Sequence, residues 1–290
     1  MSAVYRRELK ANLFSMTGTV FIVFALAVIG LYSALYTFSG NAHLEFAVVS
    51  ASFMSLLAIP ILTMRTFTEE RQSKTDQLLF SLPITTVDIV LGKFFALATV
   101  MAIPTAILCI YPLVTASLTA TGSAVNFGLI YATILCYYLL GCAVIAICMM
   151  LSSLTESQVI SAVMSLAAIL VLFFMSDFAS IVPATPAISL AVTILVAALI
   201  GYVVYLTVKN FVVSIAVGGM LAVASVVVYI VKSSLYEGLL GKVLDVMSVF
   251  KPINTFANGV FDVTAIVYYL SVICLFVYLT VQSLEKRRWS

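Results

Sequence analysis

Phe67-Thr-Glu-Glu-Arg-Gln-Ser-Lys-Thr-Asp-Gln-Leu-Leu-Phe-Ser-Leu-Pro83 decides how the rest of this chain is read. It gathers Glu69, Glu70, Arg71, Lys74 and Asp76 into seventeen residues of a polypeptide that is only 9% charged. Long apolar runs flank it on both sides. A polar segment held between two such runs has to reach water, so the runs themselves have to cross a membrane. Composition agrees. The chain is 63% hydrophobic with a mean hydropathy of +1.21, against about 45–50% apolar residues in soluble domains. In hydrocarbon only helices and closed barrels satisfy every backbone N–H and C=O. The apolar runs here are continuous over about twenty residues rather than alternating over ten, which selects helices. The expected fold is an all-α polytopic membrane protein forming a single transmembrane domain over residues 1–290.

Charges set the limits of the spans, because one at the bilayer centre costs about 2.5–3.5 kcal/mol. The spans read as 17–38, 47–66, 88–115, 125–152, 157–177, 186–208, 211–232 and 263–284, about eight transmembrane helices. The two between 186 and 232 are separated only by Lys209-Asn210. With the N-terminus inside, eleven Lys and Arg residues face the cytoplasm and three, Lys232, Lys242 and Lys251, face outward. The positive-inside rule then places both termini in the cytoplasm, in the plasma membrane. The first apolar run is longer than a signal-peptide core, so a retained first span is expected.

Three segments outside the spans are amphipathic. Residues 1–16 carry Tyr5, Leu9 and Leu13 on one helical face beside Arg6, Arg7, Glu8 and Lys10, which suits a helix lying in the headgroup layer. Residues 67–83 set Phe67, Leu78, Leu79 and Leu82 among the charges. Thr66 or Thr68 can cap a short helix there, with Glu69 and Glu70 in its first turn, where the helix dipole favours negative charge. Pro83 ends it, and Thr85 or Thr86 with Asp88 caps the next span. An ordinary solvated loop is the alternative. Residues 233–262 place Leu235, Leu239, Val243, Met247 and Phe250 at helical spacing on the outer side, an amphipathic or re-entrant segment broken by Lys251-Pro252. The turn 256–262 leads into the last span, and the chain ends on the basic, aromatic anchor Leu284-Glu-Lys-Arg-Arg-Trp289.

The same residues exclude several chemistries. A net charge of +2 implies no nucleic-acid partner. Cys109, Cys136, Cys142, Cys148 and Cys274 all lie in apolar runs with no C-x-x-C pair, so neither disulfides nor a metal site is expected. His43 stands alone in a short link. The spans hold almost no ionisable residues, against a proton- or ion-coupled carrier. Tyr137, Tyr138, Ser161, Ser165 and Tyr202 read mainly as helix–helix contacts. Gly92-Lys93 lacks the remaining glycines of a phosphate loop, and no hydrolase motif is present. The chain is therefore expected not to be an enzyme and to bind no cofactor itself.

Phe67 to Ile84, followed by Asp88-Ile-Val-Leu-Gly-Lys93, resembles the cytoplasmic signature of ABC-2 type permeases. It is most similar to the gliding-motility and nitrous-oxide-reductase-accessory branch, which reads F-x-E-E-R-x-x-G-T-x-E-x-L-L-x-x-P and then I-V-x-G-K. Tyr5-Arg-Arg-Glu-Leu9 and the stretch from Gly259 to Trp289 agree with that branch. Lys74 stands where the pattern has glycine and Gln77 where it has glutamate, and the family norm is six spans rather than eight. The resemblance implies that 67–83 is a coupling helix docking on a separate ATPase that binds ATP and magnesium, through Phe67, Glu69, Glu70, Arg71, Lys74, Asp76, Gln77, Leu78 and Leu79. It places Tyr5, Arg6, Arg7, Glu8 and Leu9 beside it, and 233–262 at the outer gate. A second permease copy or related permease, and the lipid bilayer, complete the implied partners. The implied function is the membrane subunit of an ATP-driven exporter. The alternative is a non-transporting scaffold or mechanotransmitting assembly factor paired with such an ATPase.

Overall fold

The computed structural model describes residues 1–38, 43–75, 85–118, 126–181 and 238–289, with isolated positions between 186 and 229. Every described element is helical: α1 (Ser2–Leu13), α2 (Met16–Phe38), α3 (Leu44–Leu56), α4 (Ile59–Thr63), α5 (Arg65–Gln72), α6 (Thr86–Leu108), α7 (Tyr111–Leu118), α8 (Phe127–Leu154), α9 (Gln158–Ile181), α10 (Leu239–Met247), α11 (Lys251–Ala257) and α12 (Val263–Trp289). Five helices are long and apolar enough to cross a membrane, or six when the bent pair formed by α3 and the helices after it counts as one span. Five of the eight expected spans are thus recovered, or six with the bent pair counted as one. The two expected at 186–208 and 211–232 lie outside the described residues, apart from scattered positions.

The second span differs from its expected form. It begins at Leu44 rather than residue 47, and it bends by 43° between Leu56 and Ile59 before running on to Gln72. Pro60 in the first turn of α4 explains the break. Proline has no N–H, and its ring crowds the carbonyl four residues earlier, so the helical ladder cannot pass through it unbroken. The early start buries Glu45, only 3% exposed. Its Oε1 sits 2.7 Å from Nδ1 of His43, the residue just outside the helix.

The chain divides into two compact units: residues 1–171 with 249–290, and residues 172–248. In the first, α8 is the central post, with 72% of its apolar window buried. Helices α3, α4, α5, α6, α11 and α12 pack around it. Asn126 caps α8, its side chain accepting from the Leu129 amide at 3.3 Å. Tyr137 is fully enclosed and shares a 2.9 Å hydrogen bond with Ser55 of α3, so its polar end is satisfied inside the bundle. The Tyr269 hydroxyl of α12 donates to the Val249 carbonyl at 3.0 Å. By contrast α2, α9 and α12 bury only 28%, 17% and 17% of their apolar windows, as expected of surfaces that face lipid.

The second unit contains the distal part of α9 and the short α10, whose Val243, Val246 and Met247 are exposed. Lys251-Pro252 does not act as the expected breaker. The helix has already ended at Ser248. Pro252 instead lies in the first turn of α11, where a missing N–H costs nothing. Phe256 and Ala257, expected in a turn, are the buried end of that helix.

Candidate functional site

The polar stretch that opened the reading begins as α5, a direct continuation of the second span rather than a separately capped helix. Met64 occupies the N-cap with no side-chain cap bond. Thr66 and Thr68 are buried within the helix, and the Thr68 hydroxyl donates back to the Met64 carbonyl. Neither threonine is therefore the expected cap, and Glu69 and Glu70 fall beyond the first turn. The reason is continuity: the chain arrives already helical, so few orphan N–H groups need a cap.

One side of α5 faces its own chain. Phe67 is 3% exposed. Arg71 is buried and its Nη1 donates to the Thr155 carbonyl at 3.2 Å, the residue that ends α8. Glu70 reaches Nζ of Lys93 on α6 at 2.9 Å. The other side is open: Glu69, Gln72, Ser73, Lys74 and Thr75 are exposed. Glu69 pairs with Arg65 one turn back at 3.3 Å. Asp76, Gln77, Leu78 and Leu79 lie outside the described residues.

The helix then closes by a six-residue capping turn. The Thr75 amide donates to Glu70 O at 2.9 Å and the Lys74 amide to Arg71 O at 3.1 Å, the paired bonds of a Schellman cap. That cap requires a left-handed residue, and Lys74 supplies it with φ of 55°. The resemblance has glycine at this position, and the geometry gives the physical reason.

Lys93 is the centre of the arrangement. It is 2% exposed, and its Nζ donates to Glu70 Oε1 at 2.9 Å, Glu8 Oε1 at 3.1 Å and the Thr66 carbonyl at 2.9 Å. It also lies 5.4 Å from the centre of the Phe67 ring. A desolvated ammonium costs several kcal/mol unless its donors are met; here three oxygens meet three donors. One side chain thereby ties α1, α5 and α6 together. In the sequence Lys93 reads as an inner-side basic residue, a rejected phosphate-loop lysine and the end of the Asp88–Lys93 signature, with no ion partners assigned to it. The available signal was a lysine five residues inside an otherwise apolar run.

The N-terminal helix packs on α6. Val4 is buried, and the Tyr5 hydroxyl is 3.0 Å from Thr99 Oγ1. Gly92 permits the approach: a Cβ there would meet Val4 Cγ1 at 3.0 Å and Val4 Cβ at 3.1 Å. Glu8 points to Lys93, Leu9 is half-buried, and Arg6 and Arg7 are exposed, Arg7 lining the groove between α1 and α5. At the same end of the bundle, Thr85 caps α6 by accepting from the Asp88 amide at 3.2 Å, as expected. Thr86 donates to Glu285 of α12 at 2.9 Å, and Arg287 pairs with Glu156 at 2.9 Å.

Among the described residues no group of three or more His, Cys, Asp or Glu could hold a metal ion, and the five cysteines are free. The arrangement joins an exposed strip of α5 to α1 and α6 through Lys93 and to the end of α8 through Arg71. No curated protein matches the chain. A family model described as an ABC-2 family transporter protein matches residues 9–217, which takes in α1 beyond its first turns, α5, and the α6 that carries Lys93. With that match over more than half its length and several membrane-spanning helices, the chain belongs to the ABC-2 transporter family, as a membrane permease component.

Proposed function

We propose that this permease is the membrane subunit of an ATP-driven exporter, energised by a separate ATPase that docks on the exposed face of α5 and the segment after it. The observation that carries this reading is the two-sidedness of α5. Phe67, Glu70 and Arg71 anchor it within the chain, while Glu69, Gln72, Ser73, Lys74 and Thr75 are left to water. A loop with no partner needs no such anchoring. Within this reading the ATPase binds ATP and magnesium, both termini are cytoplasmic, and the protein resides in the plasma membrane. It works with a second copy or a related permease, in the gliding-motility and nitrous-oxide-reductase-accessory branch. Closure of the ATPases pushes α5, and Lys93 passes the push to α1 and α6.

The test is reconstitution with the ATPase that copurifies from native membranes. Glu69→Arg and Lys74→Glu, both on the open side, are expected to abolish stimulation of ATP hydrolysis while membrane insertion and thermal unfolding stay unchanged. Full stimulation in both variants would overturn the docking assignment. Copurification without any ATPase would overturn the exporter reading itself.

A further inference from the structure

Between α1 and α5 runs a polar trough that shares Glu69, Ser73 and Thr75 with the open face of α5 and is completed by side chains of α1 and α6. Its main compartment, about 250 Å³, is lined by Arg7, Glu8, Arg65, Glu69, Glu70 and Lys93. A second compartment of about 160 Å³ shares Glu8, Arg65 and Glu69 with the first and extends to Asn12, Ser15 and Thr17. Three cationic and three anionic side chains therefore share one cavity. A simple anion would face three carboxylates, and a metal cation would face three positive groups. A ligand carrying both charges on adjacent atoms matches the lining.

Within the trough the charges are not equally engaged. Lys93 is saturated by Glu8, Glu70 and the Thr66 carbonyl, and Arg65 pairs with Glu69. Arg7 has no ion-pair partner among the described residues. Its planar donor fork is suited to phosphate oxygens. The carboxylates of Glu69 and Glu70 line the same trough, and each has acceptor capacity beyond its one cation, since an ionised carboxylate accepts about four hydrogen bonds. The depth is also specific. Ser15 and Thr17 stand where the apolar run of α2 begins, and Arg65 and Thr66 where the second span gives way to polar sequence. Span limits of this kind fall at the headgroup layer of a bilayer.

We propose that the trough binds the phosphoethanolamine headgroup of a membrane lipid, with phosphate on Arg7 and the primary ammonium between Glu69 and Glu70. The ammonium has three N–H donors for those carboxylates. A trimethylammonium headgroup has none, and an anionic glycerol headgroup brings no cation at all. The site thus separates phosphatidylethanolamine from both phosphatidylcholine and phosphatidylglycerol. A bound lipid here would brace α1 against α5 from the membrane side.

The full chain, purified in detergent and delipidated, would be exposed to mixed micelles containing phosphatidylethanolamine, phosphatidylcholine or phosphatidylglycerol in equal amounts. Retained lipid is then counted by native mass spectrometry. Phosphatidylethanolamine is expected to be retained at least about fivefold over either competitor, and Arg7→Gln to reduce that retention by about three- to tenfold, the loss of one charge-assisted contact at a partly wet site. Glu69→Gln should reduce the preference over phosphatidylcholine specifically. Thermal unfolding of each variant checks that α1 remains docked, and Arg6→Gln, outside the trough, should retain lipid as the parent chain does. Equal retention of the three lipids, preference for phosphatidylglycerol, or unchanged retention in Arg7→Gln would each overturn the proposal. Binding of soluble phosphoethanolamine with no retention of the lipid would overturn the membrane source.

Discussion

Nζ of Lys93 and Oε1 of Glu70 lie 2.9 Å apart, both largely withdrawn from water, and this contact joins the polar end of the second span to the base of the third. The pair is completed by Glu8 from the N-terminal helix. Three elements that are remote in sequence thus meet at one ammonium.

Removing that ammonium should be costly. Lys93→Met leaves two carboxylates facing each other without their shared cation, and breaking a buried pair in this way costs about 3–5 kcal/mol. The expected result is a large drop in the unfolding temperature of the purified protein. Adding Glu8→Gln and Glu70→Gln removes the stranded charges and should restore most of the loss. A single Lys93→Met variant as stable as the parent would show that the network contributes nothing.

The packing of α1 rests on two glycines. Gly92→Ala places a methyl 3.0 Å from Val4 Cγ1 and 3.3 Å from the Tyr5 amide, tight enough that α1 must move. Overpacking of this kind costs about 1–3 kcal/mol. Val4→Ala removes the Cγ1 contact and should relieve the cost only in part, since the Val4 Cβ and the Tyr5 amide remain within 3.1 and 3.3 Å. At the α1–α2 corner, a Cβ on Gly18 would fall on the carbonyl oxygen of Asn12, and backbone cannot step aside as a side chain can. Gly18→Ala should therefore expose α1 to protease more than Gly92→Ala does, and no side-chain truncation should rescue it.

Lys74 holds a conformation that L-residues other than glycine adopt at a cost of about 1–2 kcal/mol. Lys74→Gly relieves this and gives back part of the gain as chain entropy. A net stabilisation of about 0.5 kcal/mol is expected, with slower hydrogen exchange at the Thr75 amide. Lys74→Ala, which keeps the strain and loses only the charged side chain, should not show it.

Arg71 and Glu69 are two residues apart and should behave oppositely on charge reversal. Arg71→Glu removes a donor from the Thr155 carbonyl and buries an anion at the end of α8; the cost is that of an unsatisfied buried charge, about 3–5 kcal/mol. Lower yield and lower unfolding temperature are expected. Glu69→Arg breaks only the exposed pair with Arg65, worth about 0–1 kcal/mol, and should leave the fold intact.

The sequence by itself determined the class of the protein and most of its membrane-crossing helices. Long uninterrupted apolar runs admit one solution in hydrocarbon, and the solution depends on no long-range contact. The caps at Thr85 and the polar break after the second span were legible for the same local reason. Other features depended on which helices become neighbours. Thr66 and Thr68 looked like caps because the 43° bend carries the second span on into α5, a continuation that the polar sequence concealed. Pro252 looked like a stop, yet it starts α11, because the preceding helix ends first at Ser248. Glu70 and Arg71 looked like surface charges available to a partner, and only packing turned them toward Lys93 and Thr155. Lys93 itself was a lone charge in an apolar run. Whether such a residue marks a span end or the centre of an ion network is decided by the partners that other helices bring to it, and no local pattern encodes those partners.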